Sequence, residues 1–393
     1  MGGVVAGMEL ILKNPPSWLA KKARVGLLCN SASVDRRLRL SVERMVGEFP
    51  GALKVLFSPQ HGFWAEKQDN MILSSHEIST RWGVPLYSLY GETLRPTGEM
   101  LSQLDVLVVD LQEVGCRVYT YIYTMLGCME ECARWGVKLV VADRPNPIGG
   151  EEVEGNLLKP QMKSLVGAHP LPMRHGLTMG ELALLFKGSM KLDLDLEVWP
   201  VQGWRRDLFF DQTQLPWVMP SPNLPTLDSC LVYPGQVLLE GTNLSEGRGT
   251  TRPFEIFGAP FIDPFLLEEK LHKVGIPGVL LRPLYFEPTH GKWKGERCGG
   301  LQLHVVERAS YRPYITTLWI LHEVLMEWGE HLEWRPPPYE FEEERWPIDL
   351  LLGDPEVRSA LERGSTPEEI QSSWMGELEE WMERREEYLL YRG

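Results

Sequence analysis

Five short apolar runs punctuate the N-terminal part of the chain: Val25–Cys29, Leu53–Phe57, Leu86–Leu89, Val106–Leu111 and Lys138–Ala142. Helical patterns, notably Arg39–Phe49 and Tyr123–Trp135, fall between them. Runs that stay apolar instead of alternating belong to strands covered on both faces. The rhythm therefore predicts a parallel sheet with helices on both sides. In such sheets ligands bind beyond the carboxyl ends of the strands. Those ends read Asn30, then SPQHGF, YGETLRPT, DLQEVGCR and DRPNPIGG, so amides, carboxylates and guanidiniums gather along one edge. No G-x-G-x-x-G follows the first run and no G-x-x-x-x-G-K-[ST] occurs. The predicted fold is α/β and Rossmann-like, without a dinucleotide or phosphate-loop fingerprint.

A chain of 393 residues exceeds what one core usually serves, so a second domain is expected. The stretch after Pro147 is irregular and leads to a helix at Met179–Phe186. The last third mixes strands (Val279–Arg282, Gly300–Val306) with helices. We expect residues 1–160, extending to about 230, to form the Rossmann-like domain and 231–393 a smaller α+β domain, with the active site in the cleft between them. Thr178-x-x-Glu181, Asp263-Pro264 and Thr366-x-x-Glu369 read as helix starts. Ile370, Trp374, Leu378 and Trp381 form the packing stripe of a final helix, and Trp334–Arg345, with its prolines, reads as a connector. A net charge of −14 argues against nucleic acid or an anionic membrane as a partner. The N-terminal stretch lacks the pattern of a signal peptide or a membrane span, so a cytoplasmic location is expected; oligomeric state is left open. Scattered without C-x-x-C pairs, Cys29, Cys116, Cys128, Cys132, Cys230 and Cys298 read as buried thiols.

The densest polar stretch is LEGTNLSEGRGTTRPFE, which sets Glu240, Asn243, Glu246, Arg248, Arg252 and Glu255 among glycines between two apolar runs. Such a turn suits a polyhydroxylated, partly anionic small molecule; the plain alternative is a structural turn of satisfied ion pairs. Strand-end loops add Gln60, His61, Glu66, Gln68 and Asp69, then Asp110 and Arg117, then Asp143, Arg144, Asn146 and Glu154, with Arg174 and His175 before a helix. No H-E-x-x-H, histidine cluster or calcium loop is present, and no G-x-S-x-G. No metal is expected. What remains is carboxylate chemistry, in which one protonated and one ionised acid cleave a glycosidic bond.

LLCNSASVD, LFSPQHGFWAEKQDN, VLVVDLQEVGCRVYTYIYTM, VVADRPNPIGG, LPMRHGLTMGELA and the LEGTNLSEGRGTTRPFE block together resemble the exo-β-N-acetylmuramidase family (NamZ/YbbC-like), long known only as a domain of unknown function. The resemblance spans nearly the whole chain. It implies a hydrolase without metal or organic cofactor, releasing N-acetylmuramic acid from the non-reducing end of peptidoglycan fragments. The lactyl carboxylate of that sugar wants an arginine, for which Arg117, Arg144, Arg174, Arg248 and Arg252 are candidates. Asn30, Gln60, Gln68, Asp110, Asp143, Asn146, His175 and Asn243 are the remaining candidates for binding the sugar. One departure matters: the family's pattern has a glutamate in the P-E-H-G turn as its favoured catalytic acid, and this chain has Gln60. An amide neither donates a proton as an acid nor accepts one as a carboxylate. Either Glu66, Glu154 or Glu246, in that order, takes over, with His61 alongside, or the chain is an acidic-sugar-binding relative with altered or no hydrolytic activity.

Overall fold

The computed structural model describes residues 3–69 and 71–391. Its larger sheet comprises β1 (Val25–Cys29), β2 (Leu53–Ser58), β3 (Glu77–Ile78), β4 (Pro85–Ser88), β5 (Val106–Asp110), β6 (Lys138–Ala142) and β7 (Leu196–Trp199), in the order β3-β4-β2-β1-β5-β6-β7. All neighbours run parallel except β3, which pairs antiparallel with β4. All five expected strands are present. The two that the sequence did not announce, β3 and β7, lie at the sheet's edges, where β3 is exposed and β7 only half-buried. Neither carries the continuous apolar run that marks a strand covered on both faces.

Alternation along β5 divides its side chains between two cores. Val106 and Val108 pack with Met8, Ile11, Val42 and Met45 beneath helices Gly7–Lys13 and Ser41–Glu48. Leu107 and Val109 pack on the other face with Ile122, Met125, Met129 and Leu182, from helices Tyr121–Trp135 and Met179–Met190. This second core continues into the C-terminal half, taking in Leu238, Phe257, Leu301, Leu318 and Leu351. There β8 (Ile256–Ala259), β9 (Val279–Phe286) and β10 (Cys298–Val305) form an antiparallel sheet in the order β8-β10-β9, packed by helices Leu227–Gln236 and Pro264–Val274, with helix Pro313–Trp328 against both helices.

The caps read from sequence form as expected. Thr178 and Glu181 make a reciprocal capping box, as do Thr366 and Glu369, and Asp263 accepts from the first turn of its helix. The last apolar stripe is buried but belongs to two helices, Pro367–Ser372 and Met375–Arg385, because the chain breaks at Ser373 and Trp374. All six cysteines are free and buried. Among the described residues no helix is long and apolar enough to cross a membrane.

Candidate active site

The strand order reverses between β1 and β5, which makes their carboxyl ends the expected ligand crevice. Here the chain fills that crevice with its own segment 216–223. Asn30 Nδ2 donates to the Pro220 carbonyl at 2.9 Å, and the Tyr121 hydroxyl donates to the same carbonyl at 2.6 Å. Most of the polar side chains at this edge serve the same internal purpose. Asp110, fully buried, accepts from Arg144 at 2.6 Å and from the Ser41 hydroxyl. Asp143 accepts from Thr178, from the Gly180 amide at a helix start and from the Tyr391 hydroxyl. Asn146 closes its own turn, donating to the Leu177 carbonyl and accepting from the Ile148 amide. Arg174 donates to the Ile148 carbonyl, and buried His175 accepts from the Leu177 amide on Nδ1. Glu154 accepts from the Tyr314 and Ile315 amides and so caps helix Pro313–Trp328. Arg117 is sequestered among carbonyls of both halves. The structure gives these residues buried positions in which they bind one another and nearby backbone, and none of them lines the two cavities beyond β2.

The opening lies beyond the end of β2. An inner chamber is walled by Gln60, His61, Thr120, Asn223, Tyr233, Tyr339 and Glu340. An outer cleft of about 480 Å³ is walled by Asp69, Asn243, Glu246, Lys292, Trp293, Trp334 and Arg335. Glu240 and Arg248 border both, so the two spaces meet at that pair. The expected meeting of the β2 loop with the glycine-rich turn is thus present; the connection after β5 contributes Val118, Tyr119 and Thr120 to the chamber wall, while Asp110 and Asp143 line neither space. Glu66 is exposed and outside both walls, Gln68 is exposed and contributes its carbonyl to Asn223, and Arg252 is held by Glu255 at 3.1 Å. A Glu66→Gln variant is accordingly expected to keep wild-type turnover on a chromogenic muramide.

Arg248 stands between Gly247 and Gly249, whose φ values are 79° and 80°. A Cβ on Gly247 would lie 2.4 Å from the Ile256 carbonyl oxygen, and one on Gly249 2.5 Å from that of His290. Only glycine fits either place. The guanidinium so aimed donates to Glu240 at 2.7 Å and to Glu246 at 3.1 Å, and lies 5.3 Å from the Phe254 ring. Lys292 Nζ reaches Glu246 at 2.9 Å. The turn is therefore built from satisfied ion pairs and also walls the cavity, so the two readings of its sequence are compatible. Burial pushes the Glu246 carboxyl up, but Lys292 and Arg248 more than offset it and leave its pKa lowered to about 2. Glu246 is thus a permanent anion and unsuited to donating a proton.

His61 has a left-handed backbone (φ 73°) and places Nδ1 2.8 Å from the Lys67 carbonyl. A carbonyl only accepts, so Nδ1 carries the proton and Nε2 keeps its lone pair. Burial lowers its pKa to about 4; the Lys67 bond opposes this and Arg248 adds to it. Gln60 Nε2 donates to Glu340 at 3.1 Å, and the Tyr90 hydroxyl donates to the other Glu340 oxygen at 2.6 Å. Burial raises Glu340 to about 7, while the Tyr90 and Gln60 bonds restrain the rise. Glu340, Arg335 and Trp334 all come from the stretch read as a connector. Its prolines were the available signal, since they hold neighbouring side chains in place just as those of DRPNPIGG do.

Residues 25–228 match the N-terminal profile of exo-β-N-acetylmuramidase NamZ, and residues 231–391 match its C-terminal profile. The chain belongs to the NamZ family. It is 42% identical over 388 residues to the peptidoglycan β-N-acetylmuramidase NamZ of Bacillus subtilis (strain 168), covering 99% of this chain and 91% of that one. Two solved DUF1343-family proteins of Bacteroides fragilis NCTC 9343 share the architecture. One has a TM-score of 0.87 at 31% identity with 99% of each chain covered; the other has 0.76 at 27%, covering 100% of this chain and 99% of that one. The structure sets the Gln60 amide against the buried carboxyl of Glu340.

Proposed function

We propose that the protein is an exo-acting β-N-acetylmuramidase that removes N-acetylmuramic acid from the non-reducing end of peptidoglycan fragments through the carboxyl groups of this cleft. Likeness to the Bacillus subtilis enzyme over 99% of the chain carries the reading. The site supports it: Glu246 on the outer cleft is held ionised, and Glu340 on the inner chamber is raised to about 7, the two protonation states that glycosidic cleavage uses. Such a reaction supplies wall-derived sugars for recycling. Incubation with N-acetylmuramyl-N-acetylglucosamine, followed by reducing-end analysis, is expected to give equal amounts of the two free sugars. Gln60 motivates the rival reading of a binding protein, and tight binding with the disaccharide recovered intact would establish that instead.

Recognition of the lactyl carboxylate needs a cation whose charge is not already taken. Arg248 is shared by two glutamates and Arg252 is held by Glu255. Arg335 lines the outer cleft, half-buried, with its guanidinium 5.7 Å from the Tyr339 ring and no ion pair to any described residue. An Arg335→Ala variant is expected to raise KM for a nitrophenyl muramide about tenfold, the value of one charge-assisted contact, with little change in kcat. The matching glucosaminide, which lacks the lactyl group, serves as the control and is expected to be unaffected.

A further inference from the structure

We propose that Glu340 is the proton donor to the glycosidic oxygen, and that Gln60 is its positioning partner. The inference rests on the muramidase reading and assigns the acid within it. Tyr339 N donates to the Glu342 carbonyl at 2.8 Å and Glu342 N to the Tyr339 carbonyl at 2.9 Å, so Glu340 and Phe341 are the two residues of a tight hairpin turn. Both have left-handed backbones, with φ of 47° and 65°. Such turns favour asparagine and glycine, and a glutamate followed by a phenylalanine is an unfavourable choice for the backbone. Strain of this kind persists where the side chain displayed is needed. The turn sends Phe341 outward, half-exposed, and turns Glu340 inward to the chamber wall at 4% exposure.

Both oxygens of Glu340 are positioned, one by Gln60 and the other by Tyr90, and Gln60 is itself held by the Thr120 hydroxyl at 2.6 Å. A glutamate at position 60 would face Glu340 carboxyl to carboxyl and the two would share a proton. Glutamine leaves Glu340 to titrate alone while keeping it aimed. Of the other acids, Glu246 is a held anion, Glu240 is paired with Arg248, Glu154 caps a helix, Glu66 faces solvent, and Asp69 and Glu333 line the outer cleft and not the chamber. In the step assigned to it, the Glu340 proton passes to the glycosidic oxygen as the anomeric carbon–oxygen bond breaks. The bonding pair stays on that oxygen, which leaves as a neutral alcohol. Water supplies the new hydroxyl at the anomeric carbon, and its other proton restores Glu340 through solvent.

The test compares wild type with Glu340→Gln on two substrates, the muramyl disaccharide and a 2,4-dinitrophenyl muramide whose leaving group needs no proton. The variant is expected to lose about a thousandfold in kcat on the disaccharide and less than about tenfold on the aryl muramide. The wild-type rate is expected to fall as pH rises through about 7, where Glu340 loses its proton, and the variant's residual rate to lack that limb. Tyr90→Phe keeps the acid but removes a donor that favours its ionised form, so the limb is expected to move to higher pH; this arm stands even if Glu340→Gln folds poorly. Equal losses on both substrates, or an unmoved limb in Tyr90→Phe, overturn the assignment. A wild type that binds the disaccharide and cleaves neither substrate overturns the muramidase reading itself.

Discussion

Arg248→Met is expected to lower kcat/KM on the muramyl disaccharide by at least about a hundredfold and to destabilise the fold by about 3 kcal/mol, in the range for breaking a buried ion pair. The arginine is the shared partner of Glu240 and Glu246, both of which are buried. Removing it leaves two carboxylates facing the same space with Lys292 as the neighbouring cation, and that lysine already reaches Glu246. Their mutual repulsion and lost solvation count against the folded state. The wall between the inner chamber and the outer cleft is lost with the side chain, since Arg248 borders both. Kinetics with urea unfolding separate the two effects. Adding Glu240→Gln to Arg248→Met removes one stranded charge, so it is expected to recover part of the stability and none of the activity. Full activity in the single variant would mean that the glycine-rich turn is purely structural.

The parts of this protein legible in the sequence were those with a one-dimensional signature. Continuous apolar runs marked the covered strands, whereas β3 and β7, exposed or half-buried at the edges, gave no such run. The site divides differently. Gln60, His61, Asn243, Glu246 and Arg248 reach the cavity as their loops suggested. Asp110, Asp143, Arg144 and Asn146 have the same residue types at equivalent strand ends, yet they bind one another and nearby backbone. A strand end that touches ligand and one that ties two loops together both need polar side chains, and only the third dimension distinguishes them. Glu340 escaped for the converse reason. Its function depends on a partner 280 positions away in the chain, Gln60, and its own neighbours look like a proline-rich crossing.

Arg117→Met is expected to cost about 2 kcal/mol of stability, although Arg117 touches neither cavity. It lies at 0% exposure and donates through Nη1 to the Asn156 and Leu171 carbonyls and through Nη2 to those of Leu351 and Leu352. The Leu171 carbonyl keeps the Leu158 amide and the Leu352 carbonyl keeps Asn156 Nδ2, whereas the Asn156 and Leu351 carbonyls lose their donor, at about 1 kcal/mol apiece. Two of them end helix Pro347–Leu352, where a cation also complements the negative end of the helix dipole. Arg117→Lys retains the charge but reaches fewer acceptors from a single nitrogen, so an intermediate loss is expected. The consequence extends to the site, because that helix packs against residues Val237–Gly241, which carry Glu240, and a Cβ on Gly241 would lie 2.7 Å from Ile348 Cα. Loosening the helix therefore loosens the wall that Arg248 binds. Urea denaturation reads the stability, and turnover measured well below the unfolding midpoint reads the coupling. An Arg117→Met protein as stable as wild type would show that the two halves are fastened elsewhere.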